Sequence, residues 1–172
     1  NHGVSEAVGL FTLGTLFPGW SQSAAWEARG RALLDQLATE LVYEDGAFSQ
    51  HSFNYQRVVL DEYSWALSLA RLAGRPLAPL TRDRIAQSAR LLAAWINPVD
   101  GAPPNHGPND GARVLPLDNR PFTDYRGSAQ LASLAAGGPR LFPEGPWDES
   151  SLWILGTESP TVGFEPVPEG SL

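Results

Sequence analysis

The segment "HSFNYQRVVLDEYSWALSLARLAG", residues 51–74, decides how this chain folds. Its apolar residues recur at helical rather than strand spacing: Val59, Leu60, Tyr63, Leu67 and Leu72. Ser52 or Asn54 offers an N-cap, and Gly74 offers a stop. A helix over about 53–73 is therefore predicted.

The same periodicity predicts five further helices around this one. They span about 4–17, 21–43, 82–96, 124–136 and 147–156. Thr81 is predicted to cap the helix over 82–96, and four tryptophans are expected on inner faces: Trp26, Trp65, Trp95 and Trp153. Short turns such as Asp45-Gly46 favour antiparallel hairpins. The fold class is all-α, with any strand confined to the tail or to residues 97–122.

Composition excludes several classes of protein. The 172 residues suit one domain, and a net charge of −7 with a pI near 4.8 argues against a nucleic-acid binder. There is no cysteine for disulfides or thiolate metal sites, and no stretch is apolar enough to span a membrane. Residues 1–20 show no signal-peptide pattern. The absence of methionine predicts that the chain is a piece of a longer protein.

Two polar clusters coincide with predicted helix starts, where unpaired backbone N–H groups favour anions. Asn1 and His2 open the chain, with Glu6 one turn later. The second cluster is a dense set of donors: Gln50, His51, Asn54, Tyr55 and Arg57. A purely structural role is the alternative for both clusters. Asn1 could simply cap its helix, and Ser52 or Asn54 could cap the next one while the Tyr55 ring packs against the protein.

A third cluster lies in residues 97–122, which hold six prolines and little periodicity. It contributes His106, Asn109, Asp110 and Arg113. A solvated loop of Asx turns would have this composition, yet ordered loops of this length usually line a site. The three polar clusters together are the predicted binding residues.

The sequence contains no recognised metal or cofactor motif. Its three histidines lack metal-ligand spacing, and no phosphate-binding or dinucleotide-binding glycine pattern occurs. A glycosidase would need two carboxylates facing each other across a sugar. Glu6, Asp61, Glu62 and Asp110 are available, but nothing in their spacing pairs them.

Five ordered motifs carry a resemblance to a known family: "NHGVSEAVGLFTLGTLFP", "DGAFSQHSFNYQRVVLDEYSWALSLARLAG", "GPNDGARVLPL", "DYRGSAQLA" and "DESSLWILG". Over about residues 1–156 the chain resembles the toroid domain of heparinase II/III-like polysaccharide lyases, a family that includes alginate lyases. The resemblance implies an incomplete α/α toroid, followed in the family by an antiparallel β-sandwich. Residues 1–156 would be the later part of the toroid, and 157–172 an extended linker toward the absent sandwich.

The implied reaction is β-elimination at a uronic acid, in which a base removes the C5 proton and the C4 glycosidic oxygen leaves with a proton. Asn1 matches the family asparagine that hydrogen-bonds the carboxylate, and His2 matches the adjacent histidine. Tyr55 matches the catalytic tyrosine, which is base, acid or both depending on substrate stereochemistry. Because its ordinary pKa is about 10, a basic role would need positive charge from Arg57 or an imidazole.

The chain departs from the family pattern in two ways. Gln56 stands where the family commonly has a histidine. The family also draws a further catalytic histidine from the β-sandwich, and no residue here matches it. We therefore expect this chain alone to be inactive, although its parent would cleave an acidic polysaccharide without a cofactor.

The resemblance also implies a periplasmic or secreted location, and apolar helix faces left uncovered predict self-association. Two other functions remain open. One is a non-catalytic glycan-binding or assembly toroid, which is favoured if Asn1, His2 and Tyr55 do not converge. The other is a toroid glycoside hydrolase, which requires two acids across a groove.

Overall fold

The computed structural model describes residues 1–156 and confirms an all-α chain. Its helices are α1 (His2–Leu16), α2 (Ser23–Leu41), α3 (Phe53–Leu72), α4 (Pro79–Trp95), α5 (Arg126–Ala135) and α6 (Glu149–Leu155), with a 3-10 turn at Pro146–Asp148. Between residues 1 and 156 the only β-type pairing is an isolated bridge between Val42 and Phe48. That bridge closes the predicted Asp45-Gly46 turn, and the 97–122 loop contains no strand. The predicted linker, 157–172, lies outside the described residues.

Helices α1 and α2 form an antiparallel hairpin whose close approach depends on glycine. A Cβ on Gly30 would lie 2.4 Å from the Phe11 nitrogen, and one on Gly14 would lie 2.3 Å from the Glu27 nitrogen. The buried face of α2 follows this contact: Ser23, Glu27, Gly30, Leu34 and Ala38. Apart from Leu34, the larger apolar residues of α2 are only partly buried beside this face, because the glycines bring the two helix backbones too close for large side chains along most of the contact.

Helix α3 is the central element, buried along most of its length. Its ends follow the sequence: the Ser52 side chain caps the start, and Gly74 adopts a left-handed conformation with φ of +67° after the last turn. The Tyr63 hydroxyl donates to the Leu34 carbonyl at 2.7 Å, which joins α3 to α2. The core of the domain is therefore organised around α3.

Helices α3 and α4 form a second antiparallel hairpin. The Gln56 amide donates to Ser88 Oγ at 2.9 Å, and the Phe53 ring lies 6.0 Å from the Trp95 ring. The prediction that Thr81 caps α4 is wrong, since the helix begins at Pro79. Thr81 instead turns inward and donates to Asp35 Oδ1 at 2.6 Å. Proline at the first helical position explains the earlier start, because its missing N–H costs nothing there.

The expectation of four inward-facing tryptophans is also wrong in part. Trp26 and Trp65 are partly buried, and Trp65 Nε1 donates to Thr12 Oγ1 at 2.9 Å. Trp95 is 41% exposed and Trp153 is 70% exposed. Both lie near the C-terminal ends of their helices. No helix within residues 1–156 combines the length and apolarity that crossing a membrane requires.

Candidate active site

The start of α3 positions the second polar cluster through its N-cap. Ser52 Oγ accepts the Tyr55 backbone N–H at 3.1 Å and donates to the Pro108 carbonyl at 2.6 Å. One hydroxyl therefore both caps the helix and attaches the 97–122 loop. This arrangement places Asn54 and Tyr55 in the first turn, next to the loop.

The 97–122 loop lies along the first half of α3 rather than projecting into solvent. The Phe53 N–H donates to the His106 carbonyl at 3.3 Å, and the Leu115 N–H donates to Asp61 Oδ2 at 3.2 Å. Between these points, Arg57 Nη2 donates to the Ala112 carbonyl at 3.2 Å. Residues 54, 57 and 61 share one helix face by their spacing. The polar face of α3 therefore determines the path of the loop.

Tyr55 and Asp110 form the central contact of the candidate site. The Tyr55 hydroxyl donates to Asp110 Oδ2 at 3.0 Å, and Asn54 Nδ2 donates to Asp110 Oδ1 at 3.3 Å. This hydrogen bond to a carboxylate, reinforced by partial burial and by the negative charge, raises the pKa of Tyr55. The Ala112 N–H, followed by the phenol, lowers the pKa of Asp110. At neutral pH the pair is thus a protonated phenol beside a carboxylate.

Arg57 lies behind this pair and is fully buried. Its guanidinium lies between two rings, 4.2 Å from the centre of Phe122 and 3.9 Å from that of Tyr125. It donates to Asn54 Oδ1 at 2.9 Å and to the Phe122 carbonyl at 2.6 Å. Burial lowers the pKa of Arg57. Its described bonds reach Asn54 and the loop, and none reaches the Tyr55 phenol.

The first polar cluster lies at the start of α1. Asn1 occupies the N-cap position without a side-chain capping bond, and His2 and Glu6 are exposed. Ser5 Oγ donates to Glu62 Oε1, which ties this end of α1 to α3. Within residues 1–156, no hydrogen bond links Asn1 or His2 to Tyr55. Their convergence on one groove stays a prediction.

Two acids on α3 are buried and hold protons more tightly than usual. Burial raises the pKa of Glu62 to about 7, against the opposing effect of Ser5. Burial also raises the pKa of Asp61 to about 6, against hydrogen bonds from Ser128 and from the Leu115 N–H. Both side chains are enclosed. They therefore do not form the pair of acids across an open groove that a glycoside hydrolase requires.

Of the remaining predicted binding residues, some border clefts and others do not. His51 and His106 border a cleft of about 330 Å³ that also contacts Phe53 and Trp95. His106 and Asn109 border a second cleft of about 330 Å³ that reaches Asn54, Phe122 and Tyr125. Gln50 is exposed before α3, and Arg113 forms an ion pair with Asp118 at 2.8 Å. No group of three or more metal-binding side chains occurs within residues 1–156.

Sequence reasoning missed two aromatic residues that organise the site, Phe122 and Tyr125. Besides stacking on Arg57, the Tyr125 hydroxyl lies 3.4 Å from Asn54 Oδ1. The sequence does contain a signal for them. The segment "PFTDYR" holds two aromatic residues, and arginine favours stacking on aromatic rings. Gln56, the departure from the family pattern, is buried and bonded to Ser88 and to the Gly46 carbonyl. Gln56 therefore joins α3 to α4, and it also lines the cleft that His51 and His106 border.

One comparison with known proteins gives a match. Residues 1–93 match the family model described as Heparinase II/III N-terminus. That range covers α1 to α3 and most of α4, including Asn1, His2 and Tyr55. No curated protein and no solved structure matches the chain. The family assignment therefore depends on the helices that carry two of the three polar clusters.

Proposed function

The chain belongs to the heparinase II/III family, and we propose that it forms part of the substrate groove of a polysaccharide lyase. The substrate is a uronic-acid-containing polysaccharide, and the reaction is β-elimination. The helical hairpins would form part of an α/α toroid, with the β-sandwich contributed by another part of the protein. The resemblance also leads us to propose a periplasmic or secreted location.

The observation that carries this proposal is the Tyr55–Asp110 contact at the start of α3. The residues next to this pair in sequence, Asn54 and Asn109, border an open cleft. β-Elimination needs a proton donor for the departing glycosidic oxygen, whose basicity rises sharply as its bond to C4 breaks. A phenol is acidic enough to protonate an alkoxide and stays protonated at neutral pH. Because Asp110 raises the pKa of Tyr55, the geometry favours Tyr55 as the acid rather than as the base.

The other steps need groups that stabilise negative charge. A base takes the C5 proton, the C–H electron pair forms the C4–C5 double bond, and the C4–O bond breaks as Tyr55 protonates the oxygen. An imidazole suits the base, and His2 is the candidate in this chain. The Asn1 amide would donate to the substrate carboxylate, where the enolate charge develops. The further histidine that the family draws from the β-sandwich would complete the site.

The test is to incubate the full-length protein that contains this chain with a panel of polyuronides, including heparin-like and alginate polymers. We expect the ultraviolet absorbance of a C4–C5 unsaturated uronate to increase with at least one of them. Reducing ends that appear without this absorbance would indicate hydrolysis and contradict the proposal. Glycan binding without any cleavage would support the alternative, a non-catalytic glycan-binding domain.

A further inference from the structure

The Asp110 carboxylate is fixed by groups from both the loop and α3. Its Oδ1 accepts the Ala112 N–H at 3.0 Å and Asn54 Nδ2 at 3.3 Å, and its Oδ2 accepts the Tyr55 hydroxyl at 3.0 Å. Three donors on two oxygens leave the carboxylate little freedom to rotate. Asp110 is thus oriented toward Tyr55 before any substrate binds.

Asn54 connects this carboxylate to the buried interior. Its Oδ1 accepts Arg57 Nη2 at 2.9 Å, so its Nδ2 must point toward Asp110. Arg57 in turn cannot shift without leaving the two rings that sandwich it. The order Arg57, Asn54, Asp110, Tyr55 is therefore a chain of oriented contacts that runs from the core to the surface.

The loop that carries Asp110 is itself anchored next to α3. A Cβ on Gly107 would lie 2.1 Å from the His51 carbonyl oxygen, and the backbone at Gly107 has φ of +76°. Only glycine suits such a conformation at so close an approach. Together with the Ser52–Pro108 hydrogen bond, this contact fixes the loop just before Asp110.

We propose that Asp110 is a positioning residue that holds the Tyr55 phenol in its protonated form and in a fixed orientation, with Asn54 and Arg57 supporting it. The catalytic meaning of this role rests on the proposed lyase function. A developing alkoxide is a far stronger base than a carboxylate, so the phenol proton leaves Asp110 only when the C4–O bond breaks.

Within the described residues, few charged groups affect the titration of the Tyr55 phenol. Asp110, from the loop, is the charged group that acts on it. Arg57, on the same helix, directs its donors to Asn54 and to loop carbonyls instead. Removing the charge of Asp110 should therefore change the titration of Tyr55 more than any other single substitution.

The experiment compares Asp110→Asn with the wild type in the full-length protein. Asparagine keeps the size of the side chain and can still accept the Ala112 N–H, but it carries no charge. Tyrosine labelled with 13C in the ring would be titrated by NMR, with Tyr55→Phe identifying the Tyr55 signal. We expect the Tyr55 midpoint to fall to lower pH in Asp110→Asn, and the pH limb of kcat that reports on Tyr55 to move with it.

Asp100→Asn is the matched control. Asp100 forms the same kind of local turn as Asp110, because its Oδ1 accepts the Ala102 N–H at 2.9 Å. Within the described residues, Asp100 has no bond to a phenol. This control should leave both the Tyr55 midpoint and kcat unchanged. Asp110→Asn should lower kcat by up to about 10²-fold with little change in KM, because the misplaced group acts in the transition state.

An unchanged Tyr55 midpoint in Asp110→Asn would overturn the proposal, and so would an increase in kcat, which would mean that Asp110 restrains Tyr55 instead. If Asp110→Asn does not fold, Asp110→Ser keeps a hydroxyl acceptor for the turn, and the same fall in the Tyr55 midpoint is expected. Absence of lyase activity in the wild type would refute the proposed function alone. The NMR titration would still decide whether Asp110 controls the Tyr55 proton.

Discussion

Tyr55 is the residue on which the proposed chemistry depends, and Tyr55→Phe removes its proton while keeping the ring. We expect turnover of the full-length protein to fall by roughly 10²-fold or more, as is typical when a proton-transfer group is lost. The phenol contacts an exposed carboxylate at the surface, so the unfolding midpoint should change little. Steady-state kinetics and thermal unfolding measure the two effects.

Tyr43→Phe is the control for that substitution, because Tyr43 is 45% exposed and, within the described residues, its hydroxyl forms no hydrogen bond to Asp110. It should change neither turnover nor the unfolding midpoint. Near wild-type turnover in Tyr55→Phe would remove Tyr55 from the mechanism. An equal loss in both variants would point to a general effect on folding.

At the residue scale, the sequence indicated candidate side chains but not what they contact. Asn54, Tyr55 and Arg57 stood out because they cluster at a helix start. The partner of Tyr55 lies 55 residues further along the chain, and no local pattern encodes that distance. Of the two predicted sources of positive charge for Tyr55, Arg57 or an imidazole, Arg57 is enclosed by Phe122 and Tyr125. Such pairings are set by tertiary packing.

At the scale of helices, the close approach of α1 and α2 gives a prediction for Gly30→Ala. The new methyl group would lie 2.4 Å from the Phe11 nitrogen and 2.8 Å from the Ala7 carbonyl oxygen. Backbone atoms cannot move aside as a flexible side chain can, so the helices must separate. We expect a loss of about 1–3 kcal/mol in the free energy of unfolding, measured by chemical denaturation.

Gly9→Ala provides the matched control in the same hairpin. No atom lies within 4 Å of the position that its methyl group would take, and Gly9 is exposed in the middle of α1. Alanine should therefore stabilise the chain by about 0.5–1 kcal/mol, through its better helix propensity. If both substitutions stabilise the chain, the hairpin is looser than its close backbone contacts indicate.

A second prediction concerns the contact between Ser5 of α1 and Glu62 of α3. Glu62 has an ordinary pKa of 4.5, and burial raises it to about 7. Between these values the folded chain holds a proton that the unfolded chain has lost, so unfolding releases it. The contribution of Glu62 to the free energy of unfolding should therefore decrease as the pH rises from 4.5 to about 7, and then level off.

Glu62→Gln stays uncharged at every pH and should remove that contribution. Between pH 4.5 and about 7, the free energy of unfolding should therefore depend less steeply on pH in Glu62→Gln than in the wild type. This expectation concerns the slope and not the absolute free energy. Asp61, whose pKa burial raises to about 6, remains in both proteins, and its charge also contributes to the raised pKa of Glu62. Glu6→Gln, at an exposed position on α1, should leave the dependence as it is. Identical slopes in wild type and Glu62→Gln would show that Glu62 is charged in the folded chain.

The sequence predicted the helices well and their inner faces less well. Periodicity located α3 almost to the residue because the Ser52 cap and Gly74 stop are local signals. The buried face of α2 differs in part from the prediction, since Trp26, expected on an inner face, is only partly buried. The interface instead selects Gly30 and Leu34, because glycine allows backbone contact. Which face is buried depends on the neighbouring helix, and one helix's own sequence does not contain that information.

At the scale of the whole molecule, apolar side chains gather where α1 ends. We call this the corner patch, and it consists of Leu13, Leu16, Phe17 and Trp20, which are 40%, 49%, 44% and 52% exposed. The Phe17 and Trp20 rings stack with centres 4.8 Å apart, so the patch has a fixed shape. Contiguous exposed apolar surface of this kind marks an interaction site.

The corner patch gives the prediction that the chain self-associates. In sedimentation velocity, the weight-average coefficient of the chain should rise with concentration, because burying the patch removes apolar surface from water. The double variant Phe17→Ser/Trp20→Ser should weaken this rise. Leu72→Ser, which removes one leucine that is 76% exposed at the end of α3, should not. A wild-type coefficient independent of concentration would contradict self-association, and an equal effect of both variants would place the contact elsewhere on the surface.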